Sequence, residues 1–535
     1  MKKEEKFVLE LPLKVEKWES DLLNKRYEYL RQIYNYAQSK LLRQFRYFEQ
    51  MSEWKKCKSK IDKQTFLETH PFRIKGFDKK IIFSKFKPKT IEEDLYGITN
   101  FVEQICKKKV SKDFSYKDFG INTTNINAIG NNIWTAWDKK LYGAPKCKKD
   151  KKTGIIKKIP NSINFKKYGD LNTINIRCKN GSFCGLKVEL NGQAICLYLN
   201  IKSKKNKKEI RLPVDVKKFT EYELNALKGG IESISIITIV RKIIRGKYKY
   251  YVQFCIDKKF RPQKQRKLGC GEVGIDVGPS TVAISSINGV RIDLLAADCD
   301  KIEHKCKLFQ RKMDRSKRIN NVENYNDNGT IKKGKLSWKF SKRYIKTRLK
   351  KRELQRKQAA IRNMLHNILA NEYLKYGNDF RVENNPYSAW SRRSIKTIID
   401  KKGKYKSKKR FGKSIANHAP SMFISKLKDR VLSLGGKFVE VDIKNAASRF
   451  DFTNNTFSEH KLKERKITLS NGDTHQRDML AAFNLQHSIY DGEDLKKYDI
   501  EEMNKDYSIF CRLEQEEINR YIKKEKVGCK STIGY

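Results

Sequence analysis

Three carboxylates stand roughly a hundred residues apart, each at the edge of an apolar element. Asp276 lies inside VGIDVGPSTVAISSI, Glu383 closes DFRVE, and Asp478 opens QRDMLAAFNLQHSIY. Each has a plainer reading. Asp276 could serve the turn before Gly278, Glu383 could end a strand ahead of Asn384, Asn385 and Pro386, and Asp478 could answer a helix macrodipole. A charge inside an apolar strand is costly without a partner, however, which favours a ligand role for Asp276. Carboxylate oxygens suit hard cations such as Mg²⁺. Two such ions ~3.5–4 Å apart activate a water and steady the departing oxygen of a phosphodiester, with no nucleophilic side chain needed. Glu440 and Asp442, at the end of KFVEVD, compete as ligands and rank lower. Arg477 reads as a phosphate holder or a neutralising charge, and His475 as a surface histidine.

Composition says what such a site would act on. Lys plus Arg number 118 against 61 for Asp plus Glu, a formal net charge of +57. A codon bias toward Lys would bring many Glu residues with it, so the shortfall in acids favours a polyanionic partner, nucleic acid. No apolar run approaches the ~20 residues that span a bilayer. The start, MKKEEKFVLELPL, is charged and lacks the long apolar core of a secretory signal, so a cytoplasmic protein with no membrane partner is expected. The 12 cysteines include no CxxC pair, and the 7 histidines form no paired motif. No structural zinc is therefore expected, and the thiols read as reduced. Neither a GxSxG elbow nor a GxxxxGK[ST] loop occurs, which argues against an esterase or an NTPase motor.

The elements that must position the acids follow from periodicity. KFVLELPLK alternates as a strand. From Trp18, Leu22, Leu23, Tyr27, Leu30, Ile33, Tyr34, Leu41 and Leu42 recur at helical spacing, and further helices are expected to about Tyr142. Arg26, Arg31 and Arg43 interleave with tyrosines there, either as a solvated basic face or as a grip on a phosphate backbone. CKKDKKTGIIKKIP (147–160) reads as a loop. GLKVEL, AICLYLNIK, KEIRLPV, SISIITIVRKII and YKYYVQFCIDKK then read as strands of a barrel, to which the opening strand could belong. After a basic linker come EVGIDV, TVAISSI and VRIDLLA, three antiparallel strands with a hairpin turn at Asn288-Gly289. A long helix from Ser341 carries Ile345, Leu349, Leu354, Ile361, Leu365, Ile368 and Leu369 as an apolar stripe, with Arg348, Lys351, Arg352 and Arg356 as nucleic-acid contacts. DFRVE, a helix from Pro420 to Gly435-Gly436, KFVEVD and a final core helix QRDMLAAFNLQHSIY complete a ribonuclease H-like layered fold. The segment after Asp491 reads as a peripheral helical tail.

At these residues the chain resembles the RuvC nuclease domain of TnpB proteins and type V CRISPR effectors. GIDVG resembles the first motif, VEN the second and QRDMLAAFNL the third. IANHAPSMFISKLKDRVLSLGGKFVEVD resembles the segment between the last two, and LNKRYEYLRQIYNYAQSKLLRQF an N-terminal helix of some members. The resemblance implies a multidomain α+β protein. A β-barrel wedge domain would take up 1–15 and 150–262, a helical recognition lobe 16–149, and a linker 263–270. A RuvC domain would take up 271–300 and 377–490, with a basic helical insertion at 301–376 and a C-terminal helical tail at 491–535. It implies an RNA-guided DNA endonuclease that pairs a guide RNA with target DNA beside a short flanking motif, with Asp276, Glu383 and Asp478 holding two Mg²⁺ ions. One departure is plain: AASRFDFTNNTFSEHKLKERKITLSNGDTHQRD has no cysteine where most relatives carry a zinc ribbon. Two other readings remain, an RNA-guided DNA binder with a silent nuclease and an RNA-independent transposase. CRISPR or transposon context and oligomeric state are not legible.

Overall fold

The computed structural model describes residues 6–70, 121, 123–143, 146–149, 156–159, 161–179, 182–183, 186–191, 194–202, 207–215, 219–261, 266–393, 411–442, 446–459, 464–491 and 494–526. The helices expected between 71 and 120, and the end of the tail beyond 526, lie outside these residues. The chain is a mixed α+β protein of two compact units, 1–263 and 264–535.

In the first unit Leu9, Leu11 and Leu13 are buried while Val8 is exposed, the alternation of a strand with one face on a core. This is β1 (Lys6–Leu13). Helix α1 (Lys17–Phe48) buries Leu23, Tyr27, Leu30, Tyr34, Ala37, Leu41 and Phe45, a stripe at three- and four-residue spacing. Helices α2 (Ser52–Lys56), α3 (Lys60–Thr69) and α4 (Thr123–Leu141) follow. The fully buried Trp137 of α4 donates its indole N–H to Gln38 Oε1 at 2.7 Å. The expected loop 147–160 contains a two-stranded ladder, β2 (Lys146–Lys149) with β3 (Ile156–Ile159). Its lysine-rich strands lack the apolar alternation that would announce them.

Strands β4 (Thr173–Lys179), β5 (Ser182–Phe183), β6 (Leu186–Asn191), β7 (Ala194–Lys202), β8 (Lys207–Pro213), β9 (Ile234–Ile244) and β10 (Lys247–Asp257) join β1 in an eight-stranded sheet, with helix α5 (Glu221–Leu227) between β8 and β9. The order is β1-β10-β9-β4-β5-β6-β7-β8. An antiparallel bridge between Leu13 and Val214 ties the two end strands, with Lys14 N donating to Pro213 O at 2.9 Å and Asp215 N to Pro12 O at 2.8 Å. The sheet closes on itself, which removes its edges.

The second unit is built on five strands, β11 (Glu272–Val277), β12 (Thr281–Ser286), β13 (Gly289–Leu294), β14 (Asp379–Glu383) and β15 (Lys437–Val441), in the order β13-β12-β11-β14-β15. The first three pair antiparallel, and β11, β14 and β15 run parallel. The hairpin turn is one residue earlier than expected. Ser286 pairs with Gly289, so Ile287 and Asn288 make the turn, and Gly289 alone takes a positive φ, 156°. The Asn288 side chain donates to Cys270 O and Tyr376 O instead.

Helices α6 (Cys299–Ile319) and α7 (Lys342–Tyr373) pack on each other between β13 and β14. The expected stripe on α7 holds in part: Leu354, Ile361, Leu365 and Leu369 are half-buried, but Ile345, Leu349 and Ile368 are 40%, 43% and 47% exposed, while Gln358, His366, Ala370 and Tyr373 are buried. The last turns of α7 meet the sheet core and the earlier ones do not, so one stripe could not serve its whole length. Short helices α8 (Tyr387–Trp390) and α9 (Gly412–His418) lead to α10 (Pro420–Ser433). Phe423, Leu427 and Val431 of α10 cover one face of the sheet, against Val273, Ile275, Val277, Phe380 and Val382.

The opposite face carries α11 (Arg477–Gln486), shorter than expected, because Ser488–Asp491 forms a strand paired with Asp494–Tyr498. The tail is not peripheral. Helix α12 (Ile500–Lys526) packs Met503, Phe510 and Tyr521 on Met479, Phe483 and Ile292. Its spacing of large apolar residues among charges is that of an amphipathic core helix.

Candidate active site

Residues 273, 275 and 277 of β11 face α10, so alternation puts Gly274 and Asp276 on the α11 face. Gly274 makes that contact possible. A Cβ there would lie 1.9 Å from Ala482 O and 2.3 Å from Gln486 N of α11, so the helix backbone rests directly on the strand. With its later turns over Gly274, α11 has Asp478 in its first turn, buried to 7% exposure. On β14, Phe380 and Val382 face α10, which leaves Glu383 on the α11 side. Ile275 pairs with Val382, so Asp276 and Glu383 are the next residues along two adjacent parallel strands.

The electrostatics agree with that convergence. The Asp276 carboxyl is raised well above the usual carboxylate range, first by burial, then by the charges of Asp478 and Glu383, with Arg477 opposing. Glu383 is pushed up to about 7 by burial, against a hydrogen bond from Asn385. Like charges held near one another are what a divalent cation would relieve. Among the described residues, however, no three His, Cys, Asp or Glu side chains are gathered closely enough to hold a metal ion as they stand. Two arginines grip Asp478 instead. Arg477 Nη2 donates to Oδ1 at 2.9 Å, and Arg465 Nη1 to Oδ2 at 3.2 Å.

Several residues at this end were not singled out from sequence. Arg465 arrives through a hairpin, Lys466–Thr468 with Thr474–Gln476, in which Arg477 N donates to Arg465 O at 2.8 Å. The buried Asn385 donates to Val277 O at 3.2 Å and so ties the ends of β14 and β11 together. The Tyr387 hydroxyl is buried, and its pKa is raised by burial and then by the charge of Asp276. The NNPY that follows Glu383 is the signal that could have pointed to both.

The remaining expectations divide. Arg43, Arg348 and Arg352 are exposed. Arg26 is not a surface contact: it is 2% exposed and donates to Asn125 Oδ1 at 2.7 Å. It stands three residues after Leu23 and four before Leu30, so helical spacing places it on the core face. Arg31 is engaged by Glu28 and by Lys166 O, Lys351 by Gln310, and Arg356 by Glu353. His475 is buried, not at the surface, with Nδ1 2.6 Å from Glu514 Oε2 and Nε2 2.7 Å from the Tyr507 hydroxyl. Glu440 is exposed and paired with Lys428 at 2.7 Å, and Asp442 is exposed. Among the described residues no helix is long and apolar enough to cross a membrane.

No family model matches the chain, and no curated protein matches it. Among solved structures, a Cas12f1–sgRNA–target DNA complex is similar, with 13% identity over 90% of this chain and 99% of the other and a TM-score of 0.42. A CRISPR-Cas12f ternary complex shows 14% identity over 89% and 82%, with a TM-score of 0.26.

Proposed function

We propose that this chain is an RNA-guided DNA endonuclease of RuvC type, a compact type V CRISPR effector or a TnpB-like nuclease. In this reading the closed sheet of the first unit and its helices form a wedge and recognition module for guide RNA and target DNA. The second unit is a ribonuclease H-like nuclease. What supports the reading is that Asp276 and Glu383 lie on the face that α11 covers, at one end of the sheet, with the charges of Glu383 and Asp478 bearing on Asp276, in a chain of net charge +57.

The donor set fits Mg²⁺ in type and charge, three hard carboxylates whose mutual repulsion a cation would offset. Asp276, Glu383 and Asp478 would hold it. When bound, the metal supplies Lewis acidity toward the phosphodiester and its attacking water. The protein's own groups do the rest. Gly274 sets the depth of α11, Asn385 fixes the strand ends, and Arg465 and Arg477 neutralise Asp478 until the site is loaded, then stand ready for a phosphate oxygen.

The test is cleavage of a target-bearing plasmid by the chain with its copurified RNA in Mg²⁺. Cutting that Asp276→Ala abolishes while target binding persists supports the reading. Binding without any nick would support a second one, a guided binder with a silent nuclease, which is favoured by the arginine contacts on both oxygens of Asp478. Cutting that survives ribonuclease treatment of the particle would favour a transposase.

A further inference from the structure

The loop between α6 and α7 is a built object. Asn321, fully buried, donates to Lys317 O and Lys339 O at 2.8 Å each and accepts from Lys339 N at 2.6 Å. Asn324, 5% exposed, donates to Ser337 O at 2.6 Å. Tyr325 bridges to Ile331, packs edge-on against Trp338 at 5.9 Å and lies under Arg318 at 5.4 Å. Lys317 sits 3.5 Å above the Trp338 ring. Two buried asparagines and these ring contacts hold the loop in one shape.

What this rigid loop presents is unusual. Ile319, Val322 and Ile331 are 75%, 68% and 50% exposed. Around them Arg318, Lys332, Lys333, Lys335, Lys339, Lys342 and Arg343 are exposed, against the acids Glu323 and Asp327. Burying apolar side chains inside the loop would have stabilised it, yet its polar side chains are the buried ones. Branched apolar tips within a basic collar match a nucleic-acid duplex, where cations meet the phosphates and an apolar wedge enters between base steps.

We propose that the 317–343 loop is a wedge that docks on duplex nucleic acid and unstacks a base step with Ile319, Val322 or Ile331. This rests on the nucleic-acid reading above and adds a site distant in sequence from all three acids. The basic collar favours a polyanion over a second copy of this equally basic chain.

The experiment uses the full chain without divalent metal and a short DNA duplex of mixed sequence carrying 2-aminopurine. The parent protein is expected to raise the probe's fluorescence on binding. Ile319→Ser/Val322→Ser/Ile331→Ser should lose that rise and bind about tenfold more weakly, with an unchanged melting temperature because all three side chains are exposed. Lys332→Glu/Lys333→Glu should flatten the salt dependence of binding. Parent binding with no fluorescence rise, or a serine variant that unstacks the probe like the parent, overturns the wedge and leaves the nuclease reading standing. So does a parent dimer, seen by sedimentation, that the serine variant splits with duplex binding intact. A parent that binds no duplex overturns the wedge as well, and leaves standing the guided reading, which requires a guide RNA and a matching target.

Discussion

The two ends of one strand pair carry acids in opposite circumstances. At the start of β11 and β14, Glu272 and Asp379 share Arg381, which also donates to Gln486 O. At the other end, on the same face, the charges of Asp478 and Glu383 bear on Asp276, and the Asp276 and Glu383 carboxyls are both raised. Acids with a built-in guanidinium hold the sheet to α11. Acids held beside like charges cost the fold stability, a cost that a bound cation would offset. Having two guanidiniums of its own, Asp478 is the member that stands between the two cases.

The largest expected effect separates the ends by activity. Asp276→Asn should lower plasmid cleavage on the order of a thousandfold, while Glu272→Gln stays within a few-fold of the parent. Gly274→Ala, which lies between the ends, should cost roughly 3 kcal/mol or more by driving a Cβ into Ala482 O, and should lower both melting temperature and cleavage.

Stability should reverse the order of the ends. Arg381→Ala should destabilise by roughly 1–3 kcal/mol, since it strands the sheltered Asp379 carboxylate and the Gln486 carbonyl. Glu383→Gln should stabilise the metal-free chain at pH 8 by roughly 1–3 kcal/mol. The sign follows from the raised pKa. The folded chain keeps the Glu383 proton up to about 7, so its stabilising contribution is full below the unfolded carboxylate value and is lost as pH rises through about 7. Melting curves of the Gln variant should lack that slope. The smallest effect belongs to Arg465→Met, which should tighten Mn²⁺ binding a few-fold by freeing one oxygen of Asp478.

How much of this was legible follows from how far each residue's partners lie along the chain. Asp276, Glu383 and Asp478 stood out because each interrupts or bounds an apolar run that local pattern exposes. Arg465 could not be found that way, since a hairpin register and a helix start bring it to Asp478. His475 sits in a three-residue strand too short to show periodicity, and is buried through Glu514 and Tyr507, 39 and 32 residues later. The strand Thr173–Lys179 was passed over because Asn175 and Arg177 dilute its apolar pattern, though it pairs with β9 in the middle of the first sheet. The apolar stripe on α7 held only in part for the reverse reason: its spacing is helical, but part of the helix has no core to face.

The central claim is that the three acids act as one cation site. Equilibrium Mn²⁺ titration followed by electron paramagnetic resonance, on the RNA-loaded chain at pH 8, tests it most directly. Bound Mn²⁺ is expected in the parent and its loss in each of Asp276→Asn, Glu383→Gln and Asp478→Asn, with Glu272→Gln unchanged. Mn²⁺ occupancy unaffected by any of the three substitutions would contradict it.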